Sequence, residues 1–356
     1  MDPAALPFAL DLRLPRVVFG AGSLARLPAE AERLGFRRVL VLTTPGQSAL
    51  NARGRALLGP RAVGGFAGAA MHVPVETVVA ATAEAARLGA DATVAIGGGS
   101  TTGLGKALAL QAGLPFLAVP TTYAGSEMTT MWGLTEGGAK RTGRDALVLP
   151  KAVLYDPELT LDLPFATSVV SAVNGIAHAA EGLYAPDRNA LVDAVALEGI
   201  RTSAGALPRL ARDPRDAGAR GDALAGAWLC GIVMGAITVG LHHKICHTLG
   251  GFGLPHAELH TVVLPHALAY NAPAAPGAME RIAAALGSTS APGGLFDLAR
   301  RHGAATSLRA IGMQESDLDR AADAALEARY PNPRSLERAP LRELLQRAFE
   351  GDPPAG

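Results

Sequence analysis

Cysteine is almost absent: 356 residues hold only Cys230 and Cys246. Two cysteines cannot build a disulfide framework or a four-cysteine zinc site. Each is expected to be a buried small apolar residue, and the chain is expected in a reducing, cytoplasmic compartment. Aromatic residues are scarce too, at 4%. Platforms that stack exposed bases are built from aromatics, so single-stranded nucleic acid is not an expected partner. Net charge is missing as well: 32 Lys plus Arg balance 32 Asp plus Glu. That leaves no general pull toward nucleic acid or an anionic membrane. Residues 1–3, Met1-Asp2-Pro3, carry no basic stretch leading into an apolar core, so no signal peptide is expected there. One uncharged stretch, 223–242, has the length of a membrane span. It stands alone, is rich in Gly and Ala, and runs straight into His242, His243 and His247. A buried helix inside a helical domain is therefore expected, not a span.

The chain does have a large apolar reserve, 49% hydrophobic against 18% charged residues, enough for the two domains its length suggests. The first half alternates. Near-continuous apolar runs at 16–20, 37–44, 91–96 and 115–119 read as strands buried on both faces. Helical patterns at 23–34, 74–88 and 101–111 lie between them. Such alternation implies a parallel sheet wrapped by helices. Between 129 and 157 the pattern changes: Gly137-Gly138 and Thr142-Gly143 read as turns, and 147–155 as one or two short strands. After 158, strand signals nearly vanish. The stretches 167–183, 190–207, 217–247, 276–286, 293–311, 318–328 and 340–349 read as helices. The expected organisation is α/β followed by all-α, with an α/β domain over 1–157 and a helical domain over 158–356.

The strand at 93–96 runs into Gly97-Gly98-Gly99-Ser100 and then into a helix. Consecutive glycines remove the side chains that hold a phosphate away from the backbone, and the helix start offers unpaired N–H groups and a positive dipole end. This reads as a pyrophosphate site for a dinucleotide. It is not the GxGxxG fingerprint, and no acidic residue follows at the usual interval. Thr43, at the end of the second strand, falls where an adenosine ribose would sit. Thr121 and Thr122, after the last parallel strand, face the same ligand crevice. Asn174 and His178 are four apart on one helix, and so are His243 and His247, with His256 beyond a glycine-rich link. Residues at i and i+4 share a helix face, so an amide and four imidazoles can converge, suited to proton donation or to a metal. His242, His260 and His266 are expected to be ordinary hydrogen-bonded core histidines.

The runs GGGS at 97–100, PTTYAGSE at 120–127, YDPELT at 155–160, NGIAH at 174–178 and HKICHTLGGFGLPH at 243–256 resemble the iron-containing alcohol dehydrogenase superfamily over nearly the whole chain. Within it, GGGSTTGLGKALAL at 97–110 and LHHKICHTLGGFGLPH at 241–256 are most similar to the maleylacetate reductases. The resemblance implies the dehydroquinate synthase-like fold, with an N-terminal dinucleotide-binding domain, a C-terminal helical domain and an active site in the cleft between them. It implies NADH or NADPH as cofactor, Lys140 as a cofactor contact, a small dicarboxylate as substrate and a homodimer. In metal-dependent relatives one Asp and three His hold iron or zinc; those positions here are Asn174, His178, His243 and His256. An amide is a far weaker ligand than a carboxylate, so no tightly bound metal is expected; were one present, His178, His243 and His256 would hold it. The implied reaction reduces the conjugated C=C of maleylacetate, with His243, His247, His256, His178 and Asn174 as its catalytic set. Lys244, Tyr123 and Arg144 are the candidates for the substrate carboxylates. The competing expectation is a metal-dependent alcohol dehydrogenase or aldehyde reductase of the same superfamily.

Overall fold

The computed structural model describes residues 8–137, 139–327 and 330–355. Residues 1–3, where no signal peptide is expected, the turn position Gly138 and the helix end at Ala328 lie outside the described residues. Two compact units divide the chain, one of residues 13–163 and one running from 164 onward with residues 8–12.

The first unit is built on strands β1 (Arg16–Phe19), β2 (Val39–Leu42), β3 (Ala62–Phe66), β4 (Ala92–Gly97), β5 (Phe116–Pro120), β6 (Met131–Glu136), β7 (Ala139–Arg144) and β8 (Ala152–Tyr155). Helices α1 (Leu27–Arg33), α2 (Ser48–Leu58), α3 (Val75–Arg87) and α4 (Gly99–Ala112) connect them. Six strands form one sheet in the order β1-β8-β5-β4-β2-β3, every pair parallel. Period-two alternation sends Val39, Val41, Val94, Ile96, Leu117, Val119 and Leu154 into a core with Leu24, Leu27 and Leu58. The alternate residues Ala95 and Phe116 meet α4 on the opposite face. Gly105 of α4 lies so close there that an added Cβ would be 2.8 Å from the Phe116 ring. Both faces are thus covered, which is why the strands read as unbroken apolar runs.

Residues 129–157 differ from expectation. β6 and β7 pair antiparallel with Trp132 opposite Gly143, so Thr142-Gly143 is strand, not turn. The one or two strands expected over 147–155 are one, β8, because Asp145 accepts the Leu147 N–H at 2.8 Å and winds Ala146–Val148 into a 3-10 turn.

The second unit is helical: α5 (Phe165–Gly182), α6 (Ala190–Arg212), α7 (Ala217–Ala236), α8 (Leu241–Gly250), α9 (His256–Asn271), α10 (Pro276–Leu286), α11 (Ala291–Arg301), α12 (Leu318–Glu327) and α13 (Arg338–Glu350). α5 is buried at nearly every position from Ser168 to Gly182, and α8, α9, α12 and α13 share a second core around Leu249, Leu259, Val263 and Leu345. The expected single helix over 217–247 is two, α7 and α8, bent by 98°. α11 stops at Arg301, short of the expected 311, ahead of Gly303 at φ 74°. Among the described residues no single helix is long and apolar enough to cross a membrane.

Candidate functional site

In the sheet unit, connections leave β2 in one direction to β3 and return past it to β4, so the strand order reverses between β2 and β4. Ligands of open α/β sheets bind at such a point, outside the strand C-termini. Gly97 ends β4 there. Its φ is +155°, and a Cβ would collide with Thr101 Oγ1 and lie 2.9 Å from Gln47 Oε1. Only glycine fits. Gly98 caps α4 without a side-chain hydrogen bond, the space beside Gly99 is open, and Thr101 Oγ1 is buried with no partner. Thr121 N–H donates to Gly97 O at 3.0 Å, and Thr122 packs on Gly98. Gly97, Gly98, Gly99, Ser100, Thr121 and Thr122 therefore come together around an uncapped helix N-terminus, a cradle for an anion. Thr43 sits at the end of β2, but its side chain is fully buried and its Oγ1 accepts from Asn51 Nδ2 at 3.3 Å. Lys140 lies on β7 opposite Thr135, which hydrogen-bonds His72 O at 2.9 Å; burial and then the Lys140 charge depress His72.

The loop after β5 is tied down by a residue that sequence reasoning missed. Lys106 of α4 is 3% exposed and donates to Ser126 O (2.7 Å), Thr129 O (2.8 Å), Thr129 Oγ1 (3.0 Å) and Met131 O (2.7 Å). Burial pushes its ammonium down to about 7, with Glu127 pulling upward and Arg144 adding to the fall. The signal was a lone cation inside the apolar helix LGKALAL. Burial raises Glu127, which accepts the Tyr155 hydroxyl at 2.6 Å. Tyr123 is fully buried, while Arg144 is exposed.

In the helical unit, α5 carries Asn174 and His178 one turn apart. α8 carries His242, His243 and His247, and α9 carries His256 and His260. Six imidazoles form a continuous cluster. The His178 and His243 rings stack at 5.1 Å. His243 meets His242 and His260 at 5.1 Å each and His247 at 6.3 Å. His260 meets His256 at 4.5 Å. His242 and His260 are hydrogen-bonded to each other at 2.9 Å, the core role expected of them, yet they are also part of the cluster. Burial, and then the neighbouring imidazoles, hold His178, His242 and His260 well below the usual histidine range, so these rings are neutral. Asn174 Oδ1, His178 Nδ1 and His243 Nε2 are buried without a partner, and buried polar atoms left in this state ask for a ligand. Lys244 is half-buried, its Nζ 6.0 Å from the Tyr330 ring centre.

Glu181 was missed by sequence reasoning, although 174, 178 and 181 share a helix face. It is 1% exposed, and its Oε2 lies 2.6 Å from His243 Nδ1. Among the described residues, His242, Cys246 and His260 have ligand atoms within 4.8 Å of one another. Two of those atoms are already spent on the His242–His260 bond.

The sheet unit carries an anion cradle at its switch point and the helical unit carries clustered imidazoles, and comparisons with known proteins place both units in one family. The iron-containing alcohol dehydrogenase family model matches residues 15–157, and that of the C-terminal part of the Fe-containing alcohol dehydrogenase family matches 168–349. The chain belongs to the iron-containing alcohol dehydrogenase family and is an oxidoreductase. Its similarity to particular members is high. The maleylacetate reductase of Burkholderia cepacia is 60% identical over 98% of this chain and 99% of its own length. That of Pseudomonas knackmussii is 54% identical over the same shares. The crystal structure of the Agrobacterium tumefaciens maleylacetate reductase superposes with a TM-score of 0.93 at 50% identity, covering 98% of this chain and 100% of the other.

Proposed function

We propose that this chain reduces the conjugated carbon–carbon double bond of maleylacetate, giving 3-oxoadipate, with NADH or NADPH as electron donor. One observation carries the reading: the chain is 60% and 54% identical over nearly its whole length to maleylacetate reductases, and the helix that gives His178 to the imidazole cluster also carries a buried, partnerless amide oxygen at Asn174.

A nicotinamide cofactor held at the Gly97–Ser100 cradle would supply a hydride equivalent for C2 of the alkene. The C2=C3 electron pair then moves toward the C4 ketone oxygen, and a proton must be delivered to C3. Neutral imidazoles with one N–H each can hold that oxyanion in a water-poor site without reorganising. His178 and His243 are 3% and 1% exposed, whereas His247 and His256 are half-buried. The last two keep surface that a reactant can touch, so the protonation of C3 falls to them. Asn174 and His178 orient what binds. Lys244, Tyr123 and Arg144 are the candidates for the two carboxylates. The cradle at Gly97, Gly98, Gly99 and Ser100 would hold the cofactor pyrophosphate, flanked by Thr121 and Thr122.

The same reading holds that no iron is held tightly. The donor set of Asn174 and three histidines brings no carboxylate to the ion itself, so iron is held less tightly than by a set with Asp in that place, while three imidazoles, one of them backed by Glu181, remain a zinc-type set. The reading is tested by following NADH consumption with freshly made maleylacetate beside simple aldehydes, on enzyme purified without a metal column. Turnover of aldehydes that depends on iron, with none of maleylacetate, would refute it.

A further inference from the structure

Glu181 is held by more than His243. Its Oε2 accepts the Gly240 N–H at 3.1 Å and its Oε1 accepts the His242 N–H at 2.9 Å. These are backbone donors at the start of α8, where N–H groups lack helical partners and the helix dipole is positive. The cap residue of α8 is Gly240, which has no side chain to cap with. Glu181 supplies the cap from 59 and 61 residues away. A peptide N–H can only donate, so both oxygens of Glu181 act as acceptors. A carboxylate fixed in this way offers only lone pairs to the imidazole beside it. With Glu181 as a carboxylate, the 2.6 Å contact between His243 Nδ1 and Glu181 Oε2 is a hydrogen bond donated by Nδ1–H. A neutral ring protonated there carries its free lone pair on Nε2, and His243 Nε2 is the buried atom without a partner.

We propose that Glu181 is a positioning residue for the reaction: it locks His243 in the Nδ1–H tautomer and aims the Nε2 lone pair into the imidazole cluster. His243 is then the acceptor of the site, receiving a hydrogen bond from a neighbouring ring or from the reactants, and donation is left to His247 and His256. What that acceptor does in turnover rests on the function proposed above; the tautomer does not. No other protein acceptor is needed to fix the ring, and one carboxylate couples the start of α8 to the orientation of its second histidine. Supporting carboxylates behind a functional histidine commonly matter by 10- to 100-fold.

The test uses the full-length enzyme labelled with 15N-histidine, with the His243 signals identified by their loss in the His243→Asn protein. Without substrate, the wild-type ring should show a protonated Nδ1 and an unprotonated Nε2. In Glu181→Gln one amide N–H must face one of the three donors, so the tautomer should become mixed. kcat for maleylacetate should fall roughly 10- to 100-fold while KM for NADH stays within about twofold. A wild-type ring protonated on Nε2 overturns the proposal. So does a Glu181→Gln enzyme with kcat within twofold of wild type, or one whose loss of activity only follows its loss of folded protein. Should Glu181→Gln not fold, the wild-type spectrum decides alone. If the wild-type enzyme fails to turn over maleylacetate but shows the Nδ1–H ring, the functional reading falls and the positioning role stands.

Discussion

Asn174→Asp should turn a weak cation site into a strong one. The amide oxygen is buried, the residue is 4% exposed, and Oδ1 has no partner. A carboxylate there would act on an ion held by His178, His243 and His256. One pair of unit charges about 4 Å apart at an effective dielectric near 20 is worth about 4 kcal/mol, and a divalent ion doubles that. Against it stands the several kcal/mol needed to strip water from the ion on its way into the buried site. A net gain of roughly 3–4 kcal/mol remains, or about 100- to 1,000-fold in Kd. Without metal the variant should be less stable than wild type by about 1–3 kcal/mol, because the buried charge lacks donors. Saturating zinc should more than restore it. Competitive chelator titrations of both proteins, paired with thermal melts, measure each quantity. A gain in metal affinity below tenfold would show that position 174 does not face the site the three histidines form. Stoichiometric iron in the wild type, removed by chelation together with activity, would refute the donor-set argument altogether.

Burial pushes His266 down to about 4, with Arg347 contributing. The unfolded chain therefore takes up this proton first on acidification, so the stability it contributes is present above about pH 6.5 and lost toward pH 4, about 3 kcal/mol in all. His178, His242 and His260 act with the same sign. Urea melts across this range should show the slope, and His266→Gln should flatten it by up to about 1.4 kcal/mol per pH unit; an unchanged slope would contradict the assignment. Gly97→Ala should strain the cradle by about 1–3 kcal/mol and weaken NADH binding roughly tenfold; an unchanged fluorescence titration would count against the dinucleotide site. Lys106→Met strips the donor from three backbone carbonyls and should cost about 3–5 kcal/mol in urea unfolding; a loss below about 1 kcal/mol would mean the ammonium does not hold the loop.

The alternation of strands and helices up to Pro120 is legible because a strand covered on both faces has no polar side to interrupt its apolar run. The glycine turn at 97–99 is legible for a different reason: three residues without side chains have no other use at a strand end so close to a neighbouring loop. The break between α7 and α8 is not legible. Residues 237–240 contain no proline, and what holds them is Asp187, which accepts Thr238 N–H at 2.8 Å, together with Glu181. Both caps come from residues more than fifty positions away. α9 escaped notice because Pro265 sits inside it, a residue that locally argues for a helix end. At the site, the histidine pairs on α5 and α8 could be found from their spacing. The link between His243 and Glu181 could not, since it depends on how two helices lie against each other.

Asn174, His178 and Glu181 ride on one stiff rod, and the seven residue steps from first to last span two turns, about 10.5 Å. α5 is therefore a ruler as well as a support. Adding or deleting a single residue anywhere between 174 and 181 would swing the far end by about 100 degrees, taking either the amide or the carboxylate off the face of the other two groups. Substitutions along this stretch can be graded one by one, but a length change there should abolish every function of the cluster at once.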